Sequence, residues 1–179
     1  GACLAEFGAG TFLFRLSPSV TQKFVAATAK TAIIFNLLIG MISGSAAGNV
    51  AITGTLTIPM MEKRGYTPEK AGAITAVAAT GAQIMPPVMG AAAFIMAEIT
   101  GYSYASILKA AIIPALLFFA TLVIICTYAA RTGGFAIYQE GEAKESLSAV
   151  LREGWYSLVP IITLVAMLIV GYSPFTAAY

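Results

Sequence analysis

Apolar residues in this chain fall into long runs that small and polar residues interrupt from within. The first run, Thr31 to Met61, carries no charge at all. It exceeds the ~20 residues that one membrane crossing needs, yet Gly40, Gly44, Gly48 and Gly54 break it up. Thr31–Ile42 and Val50–Met61 are each about the length of half a crossing. The pattern predicts a helical hairpin over 31–62 tipped by Ser43-Gly44-Ser45, with Pro59 and Glu62-Lys63-Arg64 at its end. A second run, Ala71 to Ala97, follows a helix start at Thr67-Pro68-Glu69, with threonine as cap and proline in the first turn. "TGAQIMPPVMG", Thr80 to Gly90, interrupts it. Two successive prolines remove two amide donors and push the preceding residue out of helical geometry, so a broken transmembrane helix is expected over 67–99. Thr100-Gly101-Tyr102 reads as a turn. A plain transmembrane helix follows over 103–130, with Pro114 as a tolerated kink. Residues 131–153 read as a polar cytoplasmic loop and 154–171 as a further transmembrane helix, with Trp155 and Tyr156 at the water boundary. Residues 1–30 read as the end of a preceding helix and an interfacial segment.

Composition fixes the class. The chain is 59% hydrophobic and 10% charged, where soluble domains are about 25% charged. The expected fold is therefore all-α integral membrane. A net charge of +2 spread over scattered basic residues argues against nucleic acid as a partner. The chain opens on Gly1 and reads as an internal piece of a longer polypeptide. Cys3 and Cys126 lie far apart in apolar surroundings and suggest neither a disulfide nor a metal site.

Histidine and aspartate are missing altogether. That removes Ser-His and Cys-His nucleophile pairs, histidine-ligated zinc and aspartate dyads. "GSAAG" is not a nucleophile elbow, because Ser45 directly follows Gly44. Glu98 marks the end of a membrane segment.

Charge then orients the chain. A hairpin that turns back on itself puts Lys23, Lys30, Lys63, Arg64 and Lys70 on one side, joined by Arg131, Lys144 and Arg152, with Lys109 opposite. By the positive-inside rule the hairpin enters from the cytoplasm.

The two interruptions carry the chemistry. In hydrocarbon, each unpaired backbone polar group costs several kcal/mol, so irregular backbone is tolerated only where it is buried in protein or lines a wet cavity. Taken singly, the Gly40-Gly44-Gly48 ladder reads as close helix packing, Ser45 and Asn49 as interhelical hydrogen-bond formers, and Pro86-Pro87 as a kink. Taken together, two breaks with uncharged polar residues at both point to one shared site. Carbonyls at a half-helix C-terminus suit a hard monovalent cation, and N–H groups at a half-helix N-terminus suit an anionic solute.

"SGSAAGNVAITGTLTIPMMEKRGYTPEKAGAITAVAATGAQIMPPVMGAAAFIMAE", Ser43 to Glu98, closely resembles the large membrane component of tripartite ATP-independent periplasmic (TRAP) transporters. The likeness is nearest to the TAXI-associated branch, in which small and large membrane components are fused. "EGWYSLVPIITLVAMLIVGYSP", Glu153 to Pro174, fits the same family. The resemblance implies an elevator-type transporter of inverted repeats in a bacterial or archaeal cytoplasmic (inner) membrane, multi-pass, with this chain as the first repeat. It implies sodium-coupled import of a small organic anion (a dicarboxylate, keto acid or amino acid) delivered by a periplasmic solute-binding protein. No cofactor is implied beyond sodium as the coupling ion. Matched by motif, Ser43, Gly44, Ser45, Asn49, Thr80, Gly81 and Pro86 would form the sodium site. Ser45, Asn49, Thr53, Gln83 and Pro87 would reach the substrate. Ala82 departs from the family pattern, which has glycine there, and so weakens the case for a positive-φ turn at that point. The alternatives are a membrane scaffold or assembly subunit without a transport site of its own, and an intramembrane enzyme.

Overall fold

The computed structural model describes residues 9–21 and 26–132, with side chains described from Phe12 onward. Of the polar loop expected over 131–153, Arg131 and Thr132 belong to the last turn of a helix; the rest of it and the helix expected over 154–171 lie outside the described residues, as do Cys3, Lys23, Trp155 and Tyr156. Six helices make up the described part: α1 Ala9–Thr21, α2 Ala27–Ser43, α3 Ala46–Glu62, α4 Pro68–Ala82, α5 Ala91–Thr100 and α6 Tyr104–Thr132.

Helices α2 and α3 form a tight hairpin, and local chemistry explains its turn. Gly44 takes left-handed geometry (φ 61°, ψ 6°), and its N–H closes the last turn of α2 on the Gly40 carbonyl at 2.9 Å. Only glycine enters that region without steric cost. Ser45 then reverts to extended backbone, and its Oγ accepts from the Gly48 N–H at 3.2 Å, capping α3. Helix α2 begins at Ala27, ahead of the charge-free run, and Lys30 within it is buried. An isolated lysine does not stop a helix whose neighbouring residues pack, because its long apolar stem can lie along the protein.

Helix α4 packs on both arms of the hairpin, α1 packs on α2, and α6 touches α2, α4 and α5. The main core joins Ala29, Ala32 and Ile33 of α2 to Met61 of α3, Ala71, Ala78 and Ala82 of α4, and Phe119, Leu122 and Cys126 of α6. Small residues dominate where α2 meets α4. A Cβ on Gly40 would run into the Ala82 Cβ, so these two helices approach as closely as their backbones allow. A smaller cluster sets Phe12 and Leu13 of α1 against Phe35 of α2, with Phe14 edge-on to Phe35 at 5.2 Å.

Thr67 is extended with Pro68 at the first helical position, as expected of a helix start, but its side chain makes no capping bond to the backbone of α4. Helix α4 unwinds through tighter turns, with the N–H groups of Gln83, Ile84 and Met85 reaching back three residues at 3.2 Å each. Pro86-Pro87, joined by a cis peptide, ends it. Helix α6, at 29 residues, is the one described helix long and apolar enough to cross a membrane. Helices α2 and α3 have 17 residues each, about 25 Å against a hydrocarbon core of about 30 Å.

Candidate functional site

Four helix ends meet where the hairpin tip touches the break. Helices α2 and α4 end here, while α3 and α5 begin here. The Val88 N–H donates to the Met41 carbonyl at 3.3 Å, and the Gly90 N–H donates to the Gln83 carbonyl at 2.8 Å, folding the break back on itself. Gly44 lies against the Met89 carbonyl so closely that a Cβ would collide with it. Met89 itself is left-handed at φ 56°. The positive-φ residues of the site are therefore Gly44 and Met89, while Ala82 remains helical and fills the space beside Gly40.

Backbone groups without partners collect at this point. Among the described residues, the carbonyls of Ile42, Ser43 and Gly44 at the end of α2 accept no hydrogen bond, nor do those of Ile84, Met85, Pro86 and Met89 in the break. The Ala46 and Ala47 N–H groups at the start of α3 likewise have no acceptor there. Helix ends concentrate partial charge, negative at the C-termini of α2 and α4 and positive at the N-termini of α3 and α5.

Beneath the tip lies a buried polar ladder. Asn49 donates its Nδ2 to the Asn36 carbonyl at 2.8 Å. The Thr53 hydroxyl lies 2.6 Å from Asn36 Oδ1 and 2.8 Å from the Asn49 carbonyl. Asn36 Nδ2 donates to the Ala32 carbonyl at 2.8 Å. Thr57 continues the row to Thr75 of α4 at 3.1 Å. Every residue of this ladder is fully buried. One atom in it lacks a partner, Asn49 Oδ1. The Asn36 carbonyl can only accept, so it fixes the amide with nitrogen towards itself and leaves the oxygen as the open atom. An unsatisfied buried acceptor costs about 1–3 kcal/mol, which a cation or a water would relieve.

The expected site residues thus separate. Gly44, Asn49, Thr53, Gln83 and Pro87 lie at or under the junction. Ser43 and Ser45 are exposed at the turn, and Pro86 is partly exposed at the break. Two residues face elsewhere. The Thr80 hydroxyl is exposed and bonds the Ala76 carbonyl of its own helix at 2.8 Å. Gly81 is buried beneath the Phe118 ring of α6, which would collide with any Cβ there. Asn49 and Thr53, expected to reach solute, are enclosed with no exposed surface.

Asn36 escaped the sequence reading. Its signal was an asparagine alone in "AIIFNLLIG", a polar amide with no obvious partner in a charge-free run.

The whole chain, residues 1–179, matches the family described as Tripartite ATP-independent periplasmic transporter, DctM component. It is 26% identical over 141 residues to the uncharacterized protein y4mL of Sinorhizobium fredii, covering 79% of this chain and 33% of that protein. It is 27% identical over 159 residues to the uncharacterized protein YgiK of Salmonella typhimurium, covering 89% and 36%. It is 30% identical over 125 residues to the isethionate TRAP transporter permease protein DctMQ of Oleidesulfovibrio alaskensis, covering 69% and 19%. The aligned part is thus about a third or less of each relative's length. With the family matched from end to end, the chain belongs to the DctM component of tripartite ATP-independent periplasmic transporters, an integral membrane permease family and not an enzyme family.

Proposed function

We propose that this chain supplies one repeat of a sodium-coupled importer of small organic anions, with α2 and α3 as a re-entrant hairpin entering from the cytoplasm. In this reading α4 and α5 are the halves of a broken transmembrane helix, and the unit moves as part of an elevator in a multi-pass inner-membrane protein. Its partners are a periplasmic solute-binding protein and a small membrane component, the latter fused in the same polypeptide as in the TAXI-associated branch.

The observation that carries the reading is Asn49 Oδ1, a buried acceptor without a partner, lying below a tip whose neighbouring carbonyls are also open. Acceptors without donors suit a desolvated monovalent cation. The enclosed position of Asn49 supports an ion-binding role over direct solute contact, with its Nδ2 held by the Asn36 carbonyl and its own carbonyl beside the Thr53 hydroxyl. Solute contact then falls to the more accessible Ser45, Gln83 and Pro87, beside the N–H groups opening α3. Ser43, Gly44 and Pro86 contribute backbone oxygens or shape to the sodium site. Thr80 and Gly81 act by ending α4 and seating it on Phe118. The Oleidesulfovibrio relative is named for isethionate, a small organic anion, which supports the class; a dicarboxylate, keto acid or amino acid fits it equally.

The energetics suffice. Two coupled sodium ions entering down 100 mV supply about 4.6 kcal/mol before any concentration gradient, against the roughly 4 kcal/mol that thousand-fold accumulation of a neutral solute needs.

A scaffold role is the second reading, favoured by the tight Gly40–Ala82 and Gly81–Phe118 contacts. Proteoliposomes containing the complete transporter, its binding protein and an imposed sodium gradient separate the two. Uptake that follows the sodium gradient supports transport at this site, and a complete system indifferent to sodium rejects it.

A further inference from the structure

We propose that Tyr104 is a positioning residue for the ion site, holding the break against the hairpin tip through a single peptide group. Tyr104 opens α6, and its ring stacks on Phe94 of α5 at 4.8 Å with an interplanar angle of 22°. Its hydroxyl lies 2.6 Å from the Val88 carbonyl and 3.1 Å from the Pro87 carbonyl.

The peptide between Pro87 and Val88 is trans, so its C=O and N–H point in opposite directions. The C=O faces the Tyr104 hydroxyl, while the N–H donates to the Met41 carbonyl at the tip. One planar unit is thus tied to α6 on one edge and to the hairpin on the other. Both consecutive carbonyls turned towards α6 share the same hydroxyl, which withdraws them from the ion. The next carbonyl, that of Met89, is left facing Gly44. Tyr104 therefore determines which oxygens of the break remain open at the junction. The inference rests on the sodium reading of that junction.

The test uses the complete permease polypeptide purified in detergent, titrated with sodium chloride by calorimetry and melted in sodium chloride and in choline chloride. Tyr104→Phe keeps the ring and its stacking but deletes the hydroxyl. The expected result is sodium affinity about tenfold weaker and a reduced sodium-induced rise in Tm, as loss of a hydrogen bond to a carbonyl at this site implies. Phe94→Leu weakens the stacking and leaves the hydroxyl. It should lower Tm in choline while leaving sodium affinity within twofold of the parent. Parent-like sodium affinity in Tyr104→Phe overturns the proposal, whatever happens to Tm, and so does a Tyr104→Phe protein with no cooperative melt in choline, which makes the residue structural. If the parent itself shows no sodium response, the sodium reading fails, and the positioning role falls with it.

Discussion

The Val88 N–H bridges from the break to the Met41 carbonyl at 3.3 Å, so the tip of one helical hairpin is stitched to the interruption of the next element. Neither group could find this partner within a regular helix. Met41 lies in the last turn of α2, where carbonyls run out of internal donors. Val88 follows two prolines that stop helical pairing. At this pair each interruption supplies the group that the other lacks.

Gly44 is the most constrained point of that junction. Gly44→Ala places a Cβ in left-handed backbone, at about 1–2 kcal/mol, and drives it into the Met89 carbonyl as well. Thermal melting of the complete permease in choline chloride should show a loss of at least about 2 kcal/mol. A parent-like Tm would mean that the tip and the break are not packed in this way.

Gly40 separates packing from ion binding. A Cβ there meets both Ala82 Cβ and Asn49 Nδ2. Gly40→Ala should cost about 1–3 kcal/mol by overpacking, and Ala82→Gly in the same chain should recover part of that stability. Sodium affinity should stay reduced in the double variant, because the clash with Asn49 remains. Full recovery of both properties would assign Gly40 to helix packing alone.

The polar ladder makes a third prediction. Thr53→Val keeps the shape and removes the donor to Asn36 Oδ1. Leaving that buried acceptor open should destabilise the protein by about 1–3 kcal/mol, read as a lower Tm in choline. Sodium affinity should fall too, since the same hydroxyl lies 2.8 Å from the Asn49 carbonyl. A neutral substitution in both measurements would remove the ladder from the account.

The turn and the break were legible in the sequence because their chemistry is local. Gly44 followed by Ser45 is a helix stop followed by a helix cap, and Pro86-Pro87 cannot continue any helix. What escaped depends on partners distant along the chain. Gly81 reads as part of a binding motif until Phe118 is found lying across it. Asn36 reads as one more polar residue in a membrane run until Asn49 and Thr53 converge on it. Ala82, standing where the family pattern has glycine, spoke against a left-handed turn at that point, and the helix runs through it; the left-handed residue of the break is Met89, a residue type with no preference for that geometry. Tertiary contacts select it, and sequence pattern carries no trace of that.

Asn49 Oδ1 provides the most direct test. Sodium titration of the purified complete permease, compared with Asn49→Leu and with choline chloride as the control salt, reads the ion at the one buried side-chain acceptor left open among the described residues. Saturable sodium binding is expected in the parent, with at least about a tenfold loss of affinity in the variant, equivalent to about 1.4 kcal/mol. A folded Asn49→Leu permease that binds sodium as tightly as the parent would contradict an ion site at Asn49.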